Sequence, residues 1–278
     1  MSLHKWIEMS TELEVDGLEF YSRFLKSYDN KYLSEIRKTV EKQGLEIPMM
    51  CYSSDFTLPE REDREDEVRK QKEMIKVTQE LGGKFCRVLS GQRRPEINVN
   101  DGIKWVVESI QESLITAREC DIILVMENHY KDGYWKYPEF AQRKEVFLSI
   151  INQIDSPNFG VQYDPSNAIV AGDDPVELLN LMKNRVKTMH ASDRYLEKGA
   201  ILDELRETNG TIGYSPKLHH GVIGKGLNDY EKIFSILRDI NFSGWISIED
   251  GMDGIEEIKE SADFLKIMRA KYFGGGQK

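Results

Sequence analysis

"DIILVMENHY" (residues 121–130) places five consecutive apolar residues, Ile122 to Met126, directly before a carboxylate, Glu127, which is followed by Asn128 and His129. A short, uniformly apolar run reads as a strand buried on both faces, the type found in parallel sheets covered by helices. A charge beside such a strand is costly to remove from water unless something pairs with it. Glu127 therefore either reaches water at the strand end or holds a partner such as a metal ion.

The same pattern recurs outward in both directions. Strands are predicted at "VDGLEF" (15–20), "EIPMMCY" (46–52), "KFCRVLS" (84–90), "DIILVME" (121–127), "FGVQYD" (159–164), "VKTMHA" (186–191) and "GWISIE" (244–249). Amphipathic stretches lie between them. Residues 101–119 set Ile103, Val106, Val107, Ile110, Leu114 and Ala117 on one helical face. Capping patterns open later helices: Asp174 before Pro175 with Glu177, Asn228 with Glu231, and Asp253 with Glu256. The charged run "EREDREDEVRKQKE" (60–73) reads as the solvated face of a long helix.

Strict alternation of strand and helix implies parallel strands joined by right-handed crossovers. No Pro/Gly/Ser-rich linker interrupts the 278 residues, so residues 1–278 are read as a single domain. A (β/α)8 barrel needs roughly 250 residues. Only seven strands are counted, with helical "HKWIEMSTELE" ahead of them, so the first strand of a barrel is missing or atypical and other surfaces, a second copy of the chain among them, would cover the exposed edges. Residues 192–227 form a long connection, with one helix of their own expected near 200–207.

Composition narrows the function. Basic residues number 38 against 48 acidic, a net charge of −10, which disfavours a nucleic-acid backbone as partner. No run of 18 apolar residues and no signal peptide are found, which is the pattern of a cytoplasmic chain with no membrane partner. Cys51, Cys86 and Cys120 have neither metal-type spacing nor an even count, and read as thiols in a reducing compartment.

Four successive strands end in a residue able to ligate a metal: Glu127, Asp164, His190 and Glu249. In a parallel barrel these ends share one rim, where active sites of the fold are built. Three carboxylates converging with an imidazole repel one another unless a divalent cation offsets them, and an oxygen-rich set suits Mn²⁺ first, with Zn²⁺, Mg²⁺ or Co²⁺ also compatible. Taken singly, each position has a plainer reading: Asp164 before Pro165 fits a helix cap, and a lone histidine in "MHAS" fits a structural role.

Taken together, these motifs resemble the sugar phosphate isomerase/epimerase family, the xylose isomerase-like TIM barrels whose relatives include apurinic endonucleases. The likeness runs from "VDGLEF", similar to the family's second strand, to "GWISIEDG", similar to its eighth. Glu127, Asp164, His190 with Asp193 in an H-x-x-D run, and Glu249 in a G-x-x-x-x-E run match the family's metal ligands, and "HHGVIGKG" matches its H-x-x-I-G-x-G segment at His220, Gly224 and Gly226. The resemblance implies one divalent cation and a hydroxy-carbonyl carbohydrate substrate, with Glu127 and Glu249 moving the proton next to the carbonyl through an enediolate. It also implies that Arg194 contacts substrate, with a surface arginine the alternative; His220 reads as a substrate contact or a further metal ligand, Asn167 as a residue at the family's substrate-binding position, and His129 as a substrate-side residue on the rim behind the direct contacts. Gln92, Arg93 and Arg94 read as a solvated loop, with anion contacts the alternative.

Two departures bear on the competing readings. The endonucleases need a histidine where Asn167 stands and an aspartate where Leu218 stands, so their trinuclear zinc cluster would lack ligands. The isomerases often carry a substrate-binding histidine at the Asn167 position, which leaves the substrate open. Dehydration of a keto-inositol begins with the same proton abstraction and is the nearest alternative. A DNA-repair enzyme and a non-catalytic sugar-binding barrel are the remaining ones.

Overall fold

The computed structural model describes residues 2–202, 217–249 and 254–274. Contacts divide the chain into two compact units, one of residues 1–127, 139–141 and 145–160, the other of residues 128–138, 142–144 and 161–278. The strands in chain order are β1 (Phe20–Tyr21), β2 (Met49–Cys51), β3 (Phe85–Val88), β4 (Ile123–Glu127), β5 (Phe159–Tyr163), β6 (Val186–Ala191), β7 (Arg194–Leu196), β8 (Leu218–His220) and β9 (Trp245–Ile248). Seven of them form one sheet in the order β1-β2-β3-β4-β5-β6-β9, and β7 and β8 form a separate pair. β1 pairs with β2, β2 with β3 and β3 with β4 in parallel, as do β5 with β6 and β6 with β9.

In the first unit the pleat does the positioning. Met49, Cys51 and Val125 are buried together with Tyr21, Phe85 and Ile123 packed against them, so alternate residues of four strands line one face of the sheet. Stepping two residues on from Phe85 and from Val125 brings Arg87 and Glu127 to that same face. The α4 helix (Val99–Glu119) buries Val106, Val107, Ile110, Leu114 and Ala117 of the stripe that the 3.6-residue spacing predicts, and leaves Ile103 half-buried. Each such burial stabilises by about 1.5–3 kcal/mol for a Val, Leu or Ile side chain.

The charged run becomes the first turns of α3 (Arg61–Glu80), with Glu62 and Asp63 beside the positive end of the helix dipole. Its Arg61–Glu65 and Lys70–Asp66 pairs are exposed and contribute little. Glu67 departs from the solvated reading: it is buried and accepts from the Tyr52 hydroxyl and the Asp55 amide.

The sheet starts later than the sequence suggests. In place of a strand over 15–20 there is an isolated parallel bridge, Gly17 to Glu46, before the two-residue β1. The α1 helix (Leu3–Ser10) precedes it, as the opening residues predict.

In the second unit, Asp174 caps α7 (Pro175–Met182) by accepting from the Glu177 amide, as its pattern predicts. The cap of α8 (Tyr230–Asp239) is Asp229, not Asn228. The Asn228 amide is spent elsewhere, donating to Ser166 Oγ and the Ser192 carbonyl. The long connection 192–227 contains the antiparallel β7–β8 pair, in which Arg194 faces His220. Most of the helix expected near 200–207, and the Asp253 cap ahead of α9 (Ile255–Phe273), lie outside the described residues. Among the described residues no helix is long and apolar enough to cross a membrane.

Candidate metal centre

Glu127 ends β4 with its side chain fully buried. Its partner is an arginine: Arg87 Nη1 donates to Glu127 Oε2 at 2.7 Å, and Arg87 Nη2 to Ser53 Oγ at 3.3 Å. The sequence offered solvent or a metal for Glu127 and missed Arg87. The pairing depends on register, since β3 residue 87 lies opposite Val125, two residues before the glutamate. The only trace in the sequence is a cation inside the apolar run "KFCRVLS".

Asp164 follows β5 and is at once a helix cap and a site residue. Its Oδ1 accepts from the Asn167 amide at 2.8 Å, capping α6 (Pro165–Ala171), and from Ser192 Oγ at 3.0 Å. The Asn128 side chain fixes the backbone there, donating to the Asp164 carbonyl at 2.7 Å and accepting from the Asp164 amide at 2.8 Å. His190 sits near the end of β6, with Nδ1 3.2 Å from Glu249 Oε2. Glu249 follows β9, its amide donating to the Ala191 carbonyl at 2.9 Å and its side chain 46% exposed.

Among the described residues of the second unit, Asp164, His190 and Glu249 each offer a ligand atom within 4.8 Å of the others. This set fits a divalent cation by its chemistry: two carboxylates and one imidazole, with Asp164 and His190 buried. Carboxylates held that close favour a positive charge between them.

The substrate candidates separate. Arg194 is buried, which overturns its surface reading. It opens β7 and its amide donates to Asp193 Oδ1 at 2.9 Å. His220, its strand partner, has its imidazole pushed down to about 4 by burial and by the Arg194 charge, and is neutral at pH 7. Asn167 is buried in the first turn of α6. His129 is half-buried, edge-on to the Trp135 ring at 6.4 Å. His219 instead stacks on Tyr195 at 5.2 Å. Gln92 and Arg94 are not in a solvated loop. Arg94 grips both oxygens of Asp55 at 3.0 and 2.7 Å, and Gln92 Nε2 joins it at 2.8 Å.

Asp193 organises the segment that carries His220. Fully buried, its carboxylate accepts from the amides of Gly224 at 2.9 Å, Gly226 at 3.0 Å and Asn228 at 3.2 Å. Burial pushes its carboxyl upward against the pull of those donors. A Cβ on Gly226 would overlap the Asp193 carboxylate and the Arg194 carbonyl oxygen. Gly226→Ala should therefore cost about 1–3 kcal/mol in urea unfolding, the usual range for overpacking; a cost below ~0.5 kcal/mol would show that the segment yields freely.

Comparison with known proteins agrees with this architecture. Residues 7–268 match the family described as the xylose isomerase-like TIM barrel. Among curated proteins, the chain is similar to an inosose dehydratase of Clostridium beijerinckii, 22% identical over 242 residues that cover 81% of this chain and 76% of the relative. The inosose dehydratase of Clostridium botulinum (strain Alaska E43) is 24% identical over 243 residues, with the same coverage. Of solved structures, a D-tagatose 3-epimerase-like protein superposes with a TM-score of 0.77 at 21% identity, covering 98% of this chain and 95% of the other. An IolI protein with a bound zinc atom gives a TM-score of 0.77 at 16% identity, covering 99% and 95%.

Proposed function

The chain belongs to the xylose isomerase-like TIM-barrel family and is an enzyme within it, and on that premise we propose that it removes the proton next to the carbonyl of a keto-polyol and expels the neighbouring hydroxyl as water. Glu127, Asp164, His190 and Glu249 would hold the divalent cation, with Mn²⁺ the first choice for that donor set. When bound, such a cation supplies Lewis-acid polarisation of a hydroxy-carbonyl group.

The observation that carries the reading is the asymmetry of the two glutamates. Glu127 is enclosed and its Oε2 is engaged by Arg87, whereas Glu249 is 46% exposed. Glu249 takes the proton from carbon; Glu127 stays anchored. One mobile carboxylate suits elimination: the C–H and β C–O bonds break, a carbon–carbon double bond forms, and the proton leaves with hydroxide as water. Arg194 and neutral His220 hold substrate oxygens, with Asn167 and His129 at the periphery. The inosose dehydratases among the relatives favour the same class of substrate. The net charge of −10 and the presence of Asn167 and Leu218 weigh against DNA.

Epimerisation or isomerisation is the second reading, favoured by the structural likeness to a D-tagatose 3-epimerase-like protein; it requires Glu127 to return the proton. Incubating the Mn²⁺-loaded protein in D₂O with inososes, ketoses and ketose phosphates separates the two. Dehydration gives loss of one water by mass spectrometry, and epimerisation gives deuterium at the carbon without that loss. Neither change across the whole panel, with Mn²⁺, Co²⁺, Zn²⁺ or Mg²⁺, would overturn both readings.

A further inference from the structure

One polar pair in the second unit plays no part in the chemistry above. Gln162 in β5 and Thr188 in β6 are fully buried, and among the described residues neither Gln162 Oε1, Gln162 Nε2 nor Thr188 Oγ1 has a hydrogen-bond partner. Buried polar groups are almost always paired, and leaving one unmade costs its full desolvation penalty. Gln162 leaves both ends of its amide unmade, in a strand whose other members are Phe159, Gly160, Val161 and Tyr163.

Register puts the two groups together. Gln162 lies opposite Thr188, so on parallel strands their side chains share a face, with backbones about 4.8 Å apart. The register shifts between Val161 and Gln162, an irregularity of the kind that re-aims a side chain. Asp164 is two residues beyond Gln162 and His190 two beyond Thr188, so the pair lies one step, about 6.6 Å, below two of the candidate metal ligands on the same face.

We propose that Gln162 and Thr188 form a subsite for a neutral O–H group, seated beneath Asp164 and His190. An amide and a hydroxyl each both donate and accept, as an O–H does, and neither carries the charge an ion would need. Strands at this spacing let one oxygen reach both side chains. Two sources share the chemistry: a resident water, which needs polar partners of this kind, or a hydroxyl of a bound polyol. The second source deepens the keto-polyol reading and rests on it; the first does not.

The test is magnetisation transfer to the Gln162 side-chain amide in the ¹⁵N-labelled, Mg²⁺-loaded protein, its signal assigned by loss in Gln162→Leu. Transfer from water without polyol identifies a resident water; transfer from myo-inositol protons on saturation with that polyol identifies a hydroxyl. Either result supports the subsite, and Thr188→Val should weaken it. Both Gln162→Leu and Thr188→Val should also lower Tm, since each strands a polar neighbour. Absence of transfer from both sources, with Tm raised in both variants, overturns the proposal. No turnover is involved, so failure here is distinguishable from failure of the catalytic reading.

Discussion

Glu249→Gln should reduce proton exchange at the substrate carbon by about 10²–10⁴-fold, the usual contribution of a positioned general base, while leaving the protein folded. The amide keeps an oxygen in place to accept from His190 Nδ1, which lies 3.2 Å from Glu249 Oε2, and the side chain is 46% exposed, so little buried charge is disturbed. Its stability should stay within about 0.5 kcal/mol of the parent, as for most surface changes. Deuterium exchange by NMR and urea unfolding of the same preparation measure both halves. Retention of full exchange would remove Glu249 from the reaction. Glu127→Gln is a less clean experiment, because it strands the Arg87 guanidinium, whose side chain is 6% exposed.

Arg87→Met should destabilise the metal-free protein by about 3–5 kcal/mol, the range for breaking a buried ion pair from one side. The change removes the donor 2.7 Å from Glu127 Oε2 and leaves that carboxylate buried among Val125 and its neighbours. Combining it with Glu127→Gln should recover part of the loss, because replacing both members of a buried pair is often close to neutral. Loading with Mn²⁺ should shrink the penalty as well, since ligand binding to the folded state alone adds to its stability. Urea unfolding with and without Mn²⁺ measures this. A cost under ~1 kcal/mol in the metal-free protein would place the pair among ordinary surface bridges.

The sequence revealed what depends on local pattern. β4, β5 and β6 are runs of apolar residues, and their sheet positions differ from the expected spans by no more than two residues at either end. Glu127, Asp164, His190 and Glu249 were visible because a charge or imidazole closing an apolar run is conspicuous. What escaped depends on partners distant in sequence. Arg87 meets Glu127 across 40 residues, and Asn128 locks Asp164 across 36. Neither contact leaves a local signature. The β7–β8 pair was missed for another reason: its strands, "RYL" and "LHH", are too short to show alternation. The α8 cap slipped by one residue because Asn228 and Asp229 are equally good capping residues, and the pull of Ser166 and Ser192 on Asn228 appears only once the chain is folded.

The central claim, that the ends of separate strands hold one cation, is tested most directly by metal content per chain. Protein stripped with chelator, reloaded with Mn²⁺ and desalted should retain about one ion per chain, as expected for a single-metal site. Asp164→Asn and His190→Ala should each retain far less while keeping the parent's far-UV circular dichroism. Retention of the same amount by folded Asp164→Asn and His190→Ala protein, or no retention by the parent chain, would contradict it.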